Sequence, residues 1–167
     1  MISLKGRTLK GYFVEMKPKA TLIIGIGNLI LTDEGLGVHV VRALEGQALP
    51  PGVQLIEGGT ATMDLLPALC DAERIIIIDV LMGGGEPGTI YRVTPGELRS
   101  ESARPLSLHQ VGFLEVWGMA QQLGAEGEVV IIGVEPKEIS WGTELTPELQ
   151  AALPRVVTAV LEELAGV

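Results

Sequence analysis

The chain has 167 residues, enough for one domain, and its 47% hydrophobic content and mean hydropathy of +0.38 supply a substantial core. A formal net charge of −9 and a pI near 4.7 argue against a nucleic-acid partner, whose phosphates would be repelled, and are compatible with cations or basic protein segments. No apolar run approaches the ~18 residues needed to cross a bilayer, and the single cysteine, Cys70, leaves no internal disulfide and fits a reducing cytoplasm.

Residues 1–19 carry Lys5, Arg7, Lys10, Lys17 and Lys19 without the apolar stretch of a signal peptide. They read as an N-terminal arm: a flexible segment, an edge strand over 11–16, or an upstream start ahead of Met16. No chemistry is assigned to them. Residues 20–167 read as one domain. A fully buried strand is expected over 20–25, then a helix over 35–45 with Leu36, Val40, Ala43 and Leu44 on one face. Pro50-Pro51-Gly52 ends that helix. A short strand at 53–56 and a turn at 58–60 precede a helix over 62–72, whose regularity Pro67 opposes. Cys70 falls on this helix among leucines and reads as a small core residue rather than a nucleophile.

The second strong strand is expected over 74–80. The glycine-rich stretch 82–88 follows as a mobile loop, and 89–93 as an edge strand. A short helix near Glu97 belongs to the connection that reaches Pro105. A helix is expected over 110–123, the third strong strand over 128–134, and a last helix over 147–164, kinked at Pro154. Strands alternate with helices throughout. The expected fold is therefore α/β and three-layered, with a mostly parallel twisted sheet flanked by helices on both faces of a single domain.

In such sheets ligands collect beyond the carboxyl ends of the strands. Polar groups converge there. Asp33 and Glu34 follow the first strand; Asp33 would cap the next helix, and Glu34 would lie in its first turn. Glu57 follows the second strand, Asp79 closes the third after four isoleucines, and Glu135 follows another. An acid ending a buried strand needs a hydrogen bond, solvent or a cation. Ser107-Leu108-His109-Gln110 has the spacing of a capping box, which puts His109 at a helix start where its imidazole stays neutral. His39, the other histidine, falls mid-helix on a more polar face and reads as a surface residue. Two carboxylates and one imidazole suit a divalent transition metal with open positions. The dinucleotide-binding fingerprint lacks its third glycine, an acidic pair stands where its pyrophosphate would approach, and a Walker A loop is absent.

Gly25-Ile26-Gly27-Asn28 with Asp33-Glu34-Gly35-Leu36-Gly37, Glu57-Gly58-Gly59-Thr60, Ile78-Asp79, Ser107-Leu108-His109-Gln110 and Gly133-Val134-Glu135-Pro136 occur in an order and spacing that resembles the hydrogenase maturation endopeptidases. These small proteases trim the C-terminus of the large subunit of [NiFe] hydrogenases. The resemblance spans about 22–164. It implies that Glu34, Asp79 and His109 bind metal, with Asp33 supporting. It implies that the partner is the large-subunit precursor and that the metal is nickel supplied by that substrate, another divalent metal being able to occupy the site in vitro. The implied activity is a nickel-dependent, cytoplasmic endopeptidase. The alternatives are a non-catalytic nickel-sensing chaperone of the same subunit and a nucleotide-binding α/β enzyme. Three departures stand out: Glu57 where many relatives have Asp, Thr62 where many have Gly, and a longer N-terminal arm.

Overall fold

The computed structural model describes residues 20–100 and 108–166. The segment 1–19, with the edge strand over 11–16 that was one of its three readings, the connection over 101–106 and Ser107 of the capping pattern lie outside the described residues. The isoleucine- and valine-rich runs become parallel strands: β1 (Ala20–Ile26), β2 (Val53–Gly59), β3 (Ala72–Val80) and β5 (Glu128–Val134). β4 (Ile90–Val93) joins the edge antiparallel to β5, giving the order β2-β1-β3-β5-β4. The helices are α1 (Leu36–Leu44), α2 (Leu66–Asp71), α3 (Pro95–Ser100), α4 (Leu108–Gln122) and α5 (Pro147–Ala165). Among the described residues no helix is long and apolar enough to cross a membrane.

Strand alternation sorts the core into two layers. Leu22, Ile24, Ile75, Ile77 and Ile131 point to one face and meet Leu69 of α2 and Phe113 and Trp117 of α4. Ile23, Ile76, Ile78, Val130 and Ile132 point to the other and meet Val40 and Leu44 of α1 and Val156 and Val160 of α5. Burial on both faces explains why these strands read as unbroken apolar runs. Cys70 is half-buried and packs against the first layer.

Several boundaries differ from the expectation. β2 runs on to Gly59 because Gly27 N–H bonds the Gly59 carbonyl, which absorbs part of the expected turn into the strand. The first turns before α1 and α2 are tighter 3-10 segments, Thr32–Gly35 and Thr62–Leu65. Pro67 lies in the first turn of α2, where its missing N–H costs nothing. α5 runs through Pro154, in keeping with the helix expected over 147–164; Pro154 is exposed, so water can reach the Gln150 carbonyl that the proline leaves without a donor.

The far end of α5 is tied to the sheet by one buried acid. Glu163 accepts from Arg74 Nη2 at 2.7 Å and from Arg92 Nε at 2.6 Å, and Arg74 Nη2 also donates to the Glu163 carbonyl at 2.6 Å. The Arg92 hydrogen bond, assisted by Arg74, holds the Glu163 carboxyl below the usual carboxylate range against the opposing effect of burial. A depressed pKa gives stability that is present above the unfolded value and lost as pH falls through the folded one. Glu163→Gln is expected to lower unfolding free energy by about 2 kcal/mol at neutral pH. In urea titrations across pH, the gap between variant and parent should close in acid.

Candidate functional site

The site is set by how closely α1 lies on the ends of β1 and β3. A Cβ on Gly37 would collide with the carbonyl oxygens of Ile26 and Ile78, and one on Gly25 would collide with the Gly37 carbonyl. Gly27 has φ +137°, and a Cβ there would strike the Glu34 carbonyl. Glycines therefore let the chain fold back over the carboxyl edge. Asn28 N–H donates to the Glu34 carbonyl at 3.2 Å, and Glu34 N–H donates to the Leu31 carbonyl at 3.0 Å. This tight loop turns Glu34 inward.

His109 reaches the same point from the opposite layer. It lies in the first turn of α4. Its Nδ1 is 3.6 Å from Glu34 Oε1, and the two side chains are 15% and 12% exposed. That separation is too long for a hydrogen bond. Glu34 Oε2 and His109 Nδ1 are both buried without a hydrogen-bond partner. Burying such atoms unpaired costs about 1–3 kcal/mol each, so folding has set aside one ligand-competent atom on each of two facing side chains.

Asp79 is 1% exposed at the end of β3, and its Oδ1 accepts from Val80 N–H at 2.8 Å. It follows Ile75 and Ile77 in strand parity, which puts it on the face that α4 covers. Gln110, the residue after His109, donates from Nε2 to the Val80 carbonyl at 2.8 Å and pins the start of α4 to this strand end. Glu34 and His109 are thus in direct opposition, with Asp79 one strand away on the shared rim. Among the described residues, no three His, Cys, Asp or Glu side chains already form an ion cage.

Asp33 does not cap the helix it precedes. Its fully buried carboxylate turns to the β5–α5 connection instead. Oδ2 accepts from Lys137 N–H (2.9 Å) and Glu138 N–H (3.0 Å), and Oδ1 accepts from Thr146 N–H (2.8 Å), while the Thr146 hydroxyl reaches both oxygens at 2.9 Å. Thr32 helps from the preceding position. It has φ +42°, an uncommon value for a β-branched residue. Its N–H donates to the Gly142 carbonyl (2.8 Å), its hydroxyl donates to the Glu138 carbonyl (2.8 Å), and that hydroxyl accepts from Ser140 N–H (3.0 Å). The strained turn is held by these surroundings.

The glycine-rich stretch after Asp79 was expected to be mobile, but it is anchored. Glu135, 8% exposed, accepts from Gly83 N–H (2.6 Å), Gly85 N–H (3.3 Å) and the Tyr91 hydroxyl (2.8 Å). Glu57 also leaves the centre: it takes a two-pronged bond from Arg42 (2.8 and 3.0 Å), which holds its carboxyl below the usual range. Gly27, Asn28, Val38, Glu57 and Thr60 line a cleft of about 200 Å³ between the β1 and β2 ends. His39 is half-buried rather than at the surface, and burial followed by the Arg42 charge holds its pKa down. The roles of Gln110 and Thr146 are not legible in the sequence. The Ser-x-x-Gln spacing marked Gln110 only as a local cap, and nothing in the sequence pairs Thr146 with Asp33.

Known proteins share this arrangement of chain. The family model HycI, hydrogenase maturation protease, matches residues 38–163. The hydrogenase expression/formation protein HupD of Rhodobacter capsulatus is 36% identical over 152 residues, covering 89% of this chain and 72% of that protein. The hydrogenase 2 maturation protease of Escherichia coli (strain K12) is 32% identical over 146 residues, covering 86% and 89% respectively. Among solved structures, the hydrogenase maturating endopeptidase HybD from E. coli superposes with a TM-score of 0.81 at 31% identity, covering 88% of this chain and 93% of that one.

Asp33→Asn tests the buried lock beside Glu34. Either orientation of the amide sets its NH2 against backbone N–H donors, so at least one bond becomes a clash of donors. The substitution is expected to cost about 3 kcal/mol, read as a shift of the urea midpoint. Native-state hydrogen exchange should localise faster opening to 137–146.

Proposed function

Since the chain belongs to the hydrogenase maturation protease family, and so to the peptidases, we propose that it removes a short C-terminal peptide from the nickel-loaded precursor of a [NiFe] hydrogenase large subunit. The observation that carries this reading is the facing side chains of Glu34 and His109 on the carboxyl edge of the sheet, beside Asp79, each with a buried atom (Oε2 and Nδ1) that has no hydrogen-bond partner. One imidazole and two carboxylates fit a borderline divalent cation: the acids offset its charge, and the nitrogen meets its preference. The nickel is part of the substrate. Glu34, Asp79 and His109 complete its coordination when the precursor docks, which makes nickel insertion the signal for cleavage.

Hydrolysis adds water oxygen to the scissile carbonyl carbon, breaks the C–N bond and delivers a proton to the leaving amine. Two roles for the site satisfy this balance. In one, the nickel polarises the carbonyl or the water as a Lewis acid. In the other, a carboxylate of the site takes the water's proton as general base. The cleft of about 200 Å³ next to Asn28 and Thr60 has room for one side chain of an extended tail. The proposed compartment is the cytoplasm, which a chain with the single cysteine Cys70 fits.

Incubation with nickel-loaded and nickel-free precursor, read by intact mass, tests the reading. The loaded form should lose its tail and the empty form should not. His109→Ala should keep the circular dichroism spectrum of the parent and lose processing entirely; a fully active variant would sink the assignment. Nickel titrated into the free protein should bind weakly, because three protein ligands leave coordination incomplete, and should bind tightly only with precursor present. Stoichiometric nickel in the purified free protein would contradict this.

A further inference from the structure

Large apolar side chains are exposed around the same edge. Ile30 follows β1 (49% exposed), Met63 follows β2 (53%), Met82 follows β3 (46%), and Ile139 (38%) and Trp141 (82%) follow β5. Each of the four parallel strands therefore delivers at least one exposed large hydrophobic group to its carboxyl-end loop. Single exposed hydrophobics are ordinary, whereas a ring of them around one site marks a contact surface.

The most exposed of them is also firmly mounted. Leu31 and Gly142 form a parallel bridge, in which Gly142 N–H donates to the Ile30 carbonyl at 3.1 Å. This sets Ile30 and Trp141 side by side in a short ribbon, each one residue before the bridged pair. Thr32 and Asp33 lock that ribbon from beneath through Glu138, Ser140 and Thr146. A rigid, exposed indole loses little freedom on contact and is a favoured interface anchor. Exposed acids intersperse the ring: Glu86, Glu138 and Glu144 occupy the same loops. Among the described residues of these loops and of α1, the cations are engaged, Arg42 with Glu57 and Lys137 with Glu148 at 3.7 Å.

We propose that this ring, centred on Trp141 and Ile30, docks the folded body of the precursor at an apolar patch with a basic perimeter, next to the tail to be cut. The inference rests on the reading above. Any protein that presents a tail to Glu34 and His109 must cover the loops that carry those residues, so the ring is continuous with the interface which that activity requires. The acids on the loops set the sign of the perimeter. Recognition is then shared between the ion at the centre and apolar contact around it.

Trp141→Ser and Ile30→Ser are tested as full-length protein against purified nickel-loaded precursor. Both sites are exposed, and circular dichroism and melting should match the parent. KM for the precursor should rise by roughly tenfold or more with kcat within about twofold, and added salt should weaken precursor binding further. KM unchanged in both variants would overturn the docking surface while leaving the protease reading intact. If the parent fails to shorten the precursor, that reading is lost, and calorimetry with the same precursor still decides this one: weaker binding by the variants supports it, equal binding refutes it. A dimer in sedimentation that Trp141→Ser dissociates, with KM unchanged, would assign the ring to a second copy and refute the proposal.

Discussion

The contact on which the site depends is backbone against backbone, where α1 crosses the ends of β1 and β3. Gly25 and Gly37 remove the two Cβ atoms that would hold the helix away from the Ile26 and Ile78 carbonyls. This closeness brings the loop before α1 down onto the sheet edge, so that an acid on it can face a residue arriving from the opposite layer. With α1 held a side chain's width higher, Glu34 would point into solvent above the rim and His109 would face nothing. The glycines therefore act through geometry, and the chemistry belongs to their neighbours.

A second constraint fixes the loop laterally. Asp33 and Glu34 are adjacent, yet their side chains do opposite things. Asp33 is consumed by four donor groups on a connection more than 100 residues away, while Glu34 keeps an oxygen free of hydrogen bonds. Because the first anchors the backbone that carries the second, the acid pair works as a mount and a ligand-competent head. The Asp79 side is built the same way, with Gln110 bracing α4 on Val80 and Glu135 holding the glycine-rich loop.

Local pattern made the scaffold legible. β1, β3 and β5 were readable because both their faces are buried, which forces continuous Ile and Val. The placement of Asp79 at a strand end followed from that, and the placement of His109 in a helix first turn from the Ser-x-x-Gln spacing that ends at Gln110. The end of β2 was missed because it is carried by Glu57-Gly58-Gly59, whose composition suits a turn and whose strand pairing comes from β1. Asp33 looked like a local cap, since Asp before a helix usually is one; its real partners are distant in sequence and invisible to any local window. The same holds for the glycine-rich loop. Its composition predicts mobility, and groups outside it restrain it: the Glu135 carboxylate and the Tyr91 hydroxyl accept from its N–H groups, and Arg155 donates to the Gly88 carbonyl. His39 was misjudged because helix periodicity describes one helix and says nothing of the connection laid over its other side.

Hydrogen-bond saturation then separates the buried acids by role. Asp33, Glu135 and Glu163 each accept from three or more donor groups or from two arginines, and each joins segments far apart in the chain. Such groups are already satisfied, and adding a ligand to them would mean breaking bonds that hold the fold. Glu34 differs. It is largely desolvated, it faces an imidazole nitrogen beyond hydrogen-bonding range, and the two atoms have no competing partner. The cost of stripping water from them is met during folding rather than on contact, so an incoming cation gains their full electrostatic attraction in a medium of reduced dielectric. Under the proposed function, a site made this way would hold its own ion weakly with so few ligands and would join an ion that the precursor already carries.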